Sequence, residues 1–513
     1  MLIENRENSV FTKHIVIALV LIAITGFVLR LVFFNPNIPI SLDALSYFWY
    51  ANDMSILGNF PRSEVANTGW PAFLSIFFTV FHSDNFLDYM NLQRLVTIII
   101  SVLTIIPIYL LCTRFFDRTV SLVGVMLFIF EPRIVQNSLF GITEPLYIFL
   151  VATSLFLVLS RKKWHIYLAF SVSALASFVR VEGFFLFVVL SLIFFITQRK
   201  NKKVWFRYFV AVAFFILLLV PMTGIKLQTQ GHDFLANRIF DETVSIVSSE
   251  QDQEFNTGWA DEQLNIFKFI GWSFIPIYIF FVPLGFFMII KKRNQITWII
   301  LISILVLLLP AFDAIVISKA HDTRYLFPSY PLFCVLALFP VKFLLDRIKN
   351  QKRFLMFLAF GILVSSVIFL NIKIADPEHE REAFELAYYV NNSTSVINQY
   401  YPEAGYLSVI GLTTIENFPV LSSEIPSGPE RISYVGFASI SEYIQSAKQN
   451  GLTHLVLDGT KNRPEFLNDV FYHEKNYPYL KKTFDSHDYG YKYHLKIFEI
   501  NYKKFNESER ENK

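Results

Sequence analysis

Apolar runs of about 20 residues recur along the first three quarters of this chain, each long enough to cross some 30 Å of hydrocarbon as a helix. No other feature narrows the fold as much. Of the 513 residues, 54% are hydrophobic, 56 are Phe and only 17% are charged, against about 25% charged in a soluble domain. The expected fold is therefore mainly α: a polytopic membrane helical bundle of about eleven spans. Their cores are expected at 14–34, 94–113, 119–131, 143–160, 164–180, 183–198, 205–225, 267–290, 296–312, 325–344 and 354–373. The first run follows Lys13 and His14, is long for a signal peptide and has no small-residue cleavage site after it, so it reads as a retained helix. Cys112 and Cys334 both fall inside apolar runs, which excludes a disulfide framework or a cysteine metal site. A net charge of +3 gives no reason to expect nucleic acid.

Positive residues set the orientation. Arg114/Arg118, Arg161/Lys162/Lys163, Arg199/Lys200/Lys202/Lys203, Lys291/Lys292/Arg293 and Arg347/Lys349/Lys352/Arg353 fall on alternate connections, and Arg6 and Lys13 join their side. The N-terminus is thus expected in the cytoplasm and the C-terminal region outside, in a bacterial or archaeal plasma membrane. The opposite connections differ in kind. Residues 35–92 carry Asp43, Tyr47, Asp53, Glu64, Trp70 and Pro71, with 71–81 apolar but too short to span, as for a helix lying in the interface. A second long connection, 226–266, is polar and acidic and is a candidate flap.

From about Asp376 the composition becomes that of a soluble protein, so the chain divides into a membrane domain, 1–375, and an extracytoplasmic α/β domain, 376–513. Segments 406–412, 432–437 and 454–458 read as strands, and Tyr491 to Ile497 alternate apolar with polar as a half-buried strand does. Ser439 with Glu442 predicts a capping box, and Gly451 a helix end. Asn391, Asn392 and Asn506 stand in glycosylation tripeptides. The domain has no phosphate loop, zinc spacing or nucleophile elbow.

Ionisable residues at membrane depth are costly and mark functional candidates. Here they gather on the outer side in four stretches: Asp43; Glu144 in Thr143-Glu144-Pro145-Leu146; Arg180 and Glu182 in Arg180-Val181-Glu182-Gly183; and His321, Asp322, Arg324 and Tyr325. Each also has a plain structural reading. Glu144 before Pro145 suits any helix start, where the dipole favours an acid. Arg180 and Glu182 suit a hairpin that pairs them, His321 an interfacial position, and Asp43 an ordinary loop.

Taken together, these segments and Arg324-Tyr325…Pro328…Pro331 resemble the GT-C superfamily, in its branch of dolichyl-phosphate-mannose protein mannosyltransferases and aminoarabinose transferases. The resemblance covers roughly 14–375, and relatives likewise carry a soluble domain after the last helix. It implies an integral membrane hexosyltransferase that takes a sugar from a polyprenyl (dolichyl) phosphate and passes it to a hydroxyl of a protein, lipid or polysaccharide. An acceptor hydroxyl needs a general base, for which Asp43 is the candidate. The departing phosphate needs a planar guanidinium, Arg324 first and Arg180 second. His321 would bond the phosphate or sugar, with Glu144 and Glu182 orienting hydroxyls or holding the arginines. One base and in-line displacement predict inversion. Two departures matter: Ala44 follows Asp43 where many relatives pair a second acid, which disfavours a divalent cation, and the Trp-Trp-Asp motif of oligosaccharyltransferases is absent. The rival reading is a transporter or lipid-sugar flippase, against which stand the lack of an internal repeat and the placement of charge at one face.

Overall fold

The structure is a computed structural model that describes residues 11–63, 65, 67–160, 162–198, 202–230, 269, 271–292, 294–316, 322–374, 377–400, 405–409, 411–412, 415, 417–425, 428–459 and 463–511. The expected flap at 226–266 lies almost wholly outside them. The chain forms two compact units. One comprises Met1–Phe34, Asp53–Phe81 and Leu92–Ile374; the other comprises Asn35–Asn52, His82–Asn91 and Ala375–Lys513.

The first unit is helical, and its apolar helices make this a multi-pass membrane protein. Among the described residues, six helices are long and apolar enough to cross a bilayer, including Lys13–Val32, Phe86–Cys112, Gln295–Ile315 and Thr323–Leu345. Arg118–Ile129 and Pro132–Ser138, bent by 55°, make a seventh if counted as one span. Four shorter apolar helices, Glu144–Val158, His165–Val179, Gly183–Gln198 and Tyr278–Ile290, fill other expected spans. At 1.5 Å per residue they reach only roughly 20–24 Å, which is why length alone gives fewer spans than the apolar runs do. Gly69–Val80 is a short apolar helix where one was expected to lie in the interface.

Close backbone packing depends on small residues. At Gly285 a Cβ would lie 2.0 Å from the Leu336 carbonyl oxygen, so only glycine lets Tyr278–Ile290 meet Tyr330–Leu345. Arg30 is wholly buried and is satisfied by neutral oxygens: the hydroxyls of Ser138 (3.0 Å) and Ser101 (2.9 Å) and the carbonyls of Gly26 and Ile129.

The second unit is α/β. Its five-stranded sheet has the order β2-β1-β3-β5-β4, with β1 Val396–Asn398, β2 Glu430–Ile432, β3 His454–Asp458, β4 Leu480–Asp485 and β5 Leu495–Ile500. β1 runs parallel to β2 and β3, while β5 is antiparallel to β3 and β4. Side chains alternate across the strands. Val456, Leu495 and Ile497 pack with Ala383, Leu386 and Val390 of helix Pro377–Ser393. Leu455, Leu457 and Phe498 pack with Tyr443, Ile444 and Phe505 on the other face.

Residues 35–52 and 82–91 join this unit through specific contacts. Ile38 enters the first cluster, the rings of Phe48 and Tyr89 lie 5.9 and 5.0 Å from that of Phe418, and Asn52 donates to the Val420 carbonyl at 2.7 Å. The sequence placed both segments in the membrane region's first outer connection.

Several local expectations hold and others shift. Half of the capping box forms, with the Ser439 hydroxyl accepting from Glu442 N at 3.2 Å while the Glu442 carboxylate accepts from Ala438 N, and Gly451, at φ 78°, follows the helical run. The described residues of 406–412 form no strand: Tyr406–Ser408 is a 3-10 turn entered through left-handed Gly405, with Tyr406 and Leu407 used as core. The second strand ends at Ile432 rather than beginning there.

Candidate active site

Three chain segments in the first unit each present one part of a charged cluster, and a fourth walls it. Helix Glu144–Val158 begins with Thr143 as cap and Pro145 in its first turn. The preceding Gly141 has φ 75°, and its carbonyl accepts from Trp70 Nε1 (3.2 Å) and Gln93 Nε2 (2.7 Å), which fixes the entry to that helix. Glu144 is only 1% exposed.

Helix His165–Val179 ends at Arg180, whose backbone is extended, and the turn closes through Gly183 N to the Arg180 carbonyl at 2.9 Å. Gly183 is required there because a Cβ would stand 2.4 Å from Ser177 N. The third segment is the 3-10 helix Thr323–Ser329, capped by Asp322, whose carboxylate accepts from Arg324 N at 2.9 Å and from Arg324 Nε at 2.6 Å. The fourth is the C-terminal end of Gln295–Leu307, which supplies an apolar wall at Leu307.

The side chains converge on Glu144. Arg180 Nη1 donates to Glu144 Oε1 and, at 3.2 Å, to the Thr143 hydroxyl. Its other edge forks onto Glu182, with Nη2–Oε1 at 2.8 Å and Nε–Oε2 at 3.2 Å. Arg324 Nη1 lies 3.9 Å from the same Glu144 oxygen. The Arg180 guanidinium carbon lies 5.7 Å from the centre of the Tyr325 ring, in cation–π range.

Beside them is a narrow cleft of about 10 Å³, room for roughly one water, lined by Tyr147, Arg180, Glu182, Arg324, Tyr325 and apolar residues such as Phe185. Among the described residues, the hydroxyl of Tyr147, which lines the cleft, and Glu144 Oε2, behind Arg180, are buried without a hydrogen-bond partner. A buried polar atom left unsatisfied costs about 1–3 kcal/mol, so each is a position for a ligand's donor or acceptor.

The structure thus brings together Glu144, Arg180, Glu182, Asp322, Arg324 and Tyr325. The pairing of Arg180 with Glu182 is real but extends to Glu144 on another helix, so it does more than close a hairpin. The two arginines differ: Arg180 is about one-tenth exposed and gripped on both edges, whereas Arg324 is one-third exposed. His321 lies outside the described residues. Asp43 belongs to the second unit, where it is exposed in the first turn of helix Leu42–Leu57 rather than in a loop. Leu42 immediately before it has φ 51°, a left-handed conformation uncommon outside glycine that is typically held in place by surrounding structure.

Sequence reasoning missed Tyr147, although it stands three residues after Glu144 and so shares its helix face. It also missed a second buried pair. Glu131 and Arg133, 3.4 Å apart, sit at the bend before Pro132–Ser138, with Arg133 also donating to the carbonyls of Trp272 and Ile275.

Residues 69–223 match the model of the dolichyl-phosphate-mannose-protein mannosyltransferase family, a span that holds Glu144, Arg180 and Glu182. No sequence among curated proteins matches the chain. Among solved structures, apo ArnT from Cupriavidus metallidurans aligns with a TM-score of 0.57 at 11% identity, over 94% of this chain and 97% of that one.

The chain has the GT-C fold.

ArnT bound to undecaprenyl phosphate aligns with a TM-score of 0.53 at 11% identity, over 93% and 97% of the two chains. The apo oligosaccharyltransferase of Archaeoglobus fulgidus aligns with a TM-score of 0.59 at 11% identity, over 86% and 69%. Both relatives are GT-C glycosyltransferases. The fold agrees with the resemblance, and the family model covers two of its four segments, Thr143-Glu144-Pro145-Leu146 and Arg180-Val181-Glu182-Gly183.

Proposed function

We propose that this GT-C protein is a membrane glycosyltransferase that takes a sugar from a polyprenyl phosphate and transfers it to an acceptor hydroxyl with inversion. One observation carries the reading: a buried carboxylate held between two arginines from separate segments, beside a cleft lined by both arginines and by Tyr147. The ArnT structure with undecaprenyl phosphate and the Archaeoglobus enzyme tethered to an acceptor peptide support a lipid-linked donor and a macromolecular acceptor.

In this reading the acceptor oxygen attacks the anomeric carbon as its proton passes to the Asp43 carboxylate. The bond from that carbon to the phosphate oxygen breaks, and polyprenyl phosphate leaves with the electron pair. Negative charge gathers on the leaving phosphate, and a preorganised guanidinium answers it without rearranging. Arg324 takes that role because it is the more accessible arginine and Asp322 already fixes its Nε edge. Arg180, tied to Glu144 and Glu182, fixes the acids that meet sugar hydroxyls. No cation is assigned to the transfer, since Ala44 follows Asp43. The site faces outward and the N-terminus lies in the cytoplasm, as the lysine and arginine placement directs.

The test is incubation of purified protein with a panel of radiolabelled polyprenyl-phosphate sugars. Release of free polyprenyl phosphate, by transfer or slow hydrolysis, is the expected result. Absence of turnover with every donor, together with uptake of substrate into vesicles, would favour transport.

A further inference from the structure

A second chemistry-bearing group lies in the α/β unit, where no site has been assigned. Among the described residues, Asp485, His487 and His494 form the one trio of His, Cys, Asp or Glu side chains whose ligand atoms all lie within 4.8 Å of one another. We propose that they bind a zinc-like divalent cation, with water in the fourth position. The inference is independent of the transfer reaction.

The hairpin between β4 and β5 builds the trio. Asp485 ends β4, the 3-10 turn Ser486–Tyr489 follows, and Gly490 at φ 83° reverses the chain. The buried Ser486 hydroxyl donates to the Tyr493 carbonyl (2.6 Å) and accepts from Leu495 N (2.7 Å). That staple holds 485–487 beside 493–495. Asp485 Oδ1 accepts from His487 N at 3.2 Å and lies 3.0 Å from His494 Nε2. Two ligands of a tetrahedral zinc with bonds near 2.0–2.1 Å stand about 3.3 Å apart, a spacing the Asp485–His494 pair already approaches, and one stacked imidazole must turn so that its in-plane lone pair meets the cation.

The imidazoles stack with centres 3.5 Å apart and planes 15° apart. Neutral imidazole is the ligating form. Binding at His494 Nε2 displaces its hydrogen bond to Asp485 Oδ1, and the proton of that nitrogen moves to Nδ1 of the same neutral ring. Lys482 Nζ, 3.2 Å from Asp485 Oδ2, occupies the other oxygen, and the Phe471 ring walls one side of His494. Two imidazoles and one carboxylate suit zinc, cobalt or nickel better than magnesium or calcium, which prefer all-oxygen shells. Asp485 is buried, His494 a quarter exposed and His487 open to solvent, so the cation has a route in.

The test uses full-length protein in detergent, stripped with chelator and titrated with Co²⁺ in visible absorption and by metal stoichiometry. Wild type is expected to develop a tetrahedral cobalt spectrum that Zn²⁺ abolishes. The His487→Ala/His494→Ala variant is expected to bind one Co²⁺ fewer per chain and to lack that spectrum. His487→Ala alone, at an exposed position, serves if the double variant does not fold, and should bind at least tenfold more weakly. Equal stoichiometry and spectra in wild type and a folded variant, or no cobalt bound by wild type, would overturn the site.

Discussion

Replacing Arg180 by Met is expected to destabilise the protein by about 3–5 kcal/mol, the cost of leaving a buried charge without its partner. Glu144 is 1% exposed and, among the described residues, would keep only Arg324, at 3.9 Å, as a nearby cation. If the uncompensated carboxylate is the cause, adding Glu144→Gln should restore more than half of the lost stability, because a neutral amide needs no counter-charge. Thermal unfolding in detergent measures all three variants. A double variant as unstable as the sum of its parts would mean that the packing of the Arg180 stem, not the charge pair, holds the turn. The double variant is not expected to regain transfer activity, since the paired acids would no longer be fixed.

Asp43→Asn is expected to slow sugar transfer by about 10²-fold or more while donor binding persists, the signature of a lost general base. The substitution keeps the size of the side chain and its place in the first turn of Leu42–Leu57. Near-normal turnover would remove Asp43 from the reaction and direct attention to Glu144 or Glu182. Weakened donor binding with unchanged turnover of bound donor would instead give Asp43 a positioning role.

Much of the membrane region was legible because hydrocarbon imposes one simple rule on sequence: long apolar runs with their backbone bonds met internally. The helices Lys13–Val32, Gly183–Gln198 and Gln351–Lys373 fall close to their expected bounds for that reason. Helix Leu42–Leu57 was not foreseen. It buries Asn52 and Asp53 along with Phe48 and Tyr50, so its polar and apolar residues do not sort onto separate faces. β1 and β4 escaped because a three-residue strand has no period to read and β4 carries exposed lysines among buried residues.

In the cluster, the identity of the charged residues was readable but their connectivity was not. Arg180 to Glu144 spans two helices, and nothing local in the chain distinguishes it from the neighbouring pair with Glu182. The trio at Asp485, His487 and His494 escaped for a similar reason: its third member returns across a hairpin at a spacing outside the usual zinc patterns.

The most direct measurement of the central claim is equilibrium binding of polyprenyl phosphate against the matching phosphate-free polyprenol, to wild type, Arg324→Lys and Arg324→Ala. If the cluster receives the lipid phosphate, wild type should prefer the phosphate-bearing lipid. Arg324→Ala should lose at least tenfold in affinity, equivalent to about 1.4 kcal/mol, and Arg324→Lys should recover only part, because a point charge lacks the planar fork. Equal binding of both lipids, or full affinity in Arg324→Ala, would contradict the account and leave the arginine–carboxylate cluster as scaffolding for the helices.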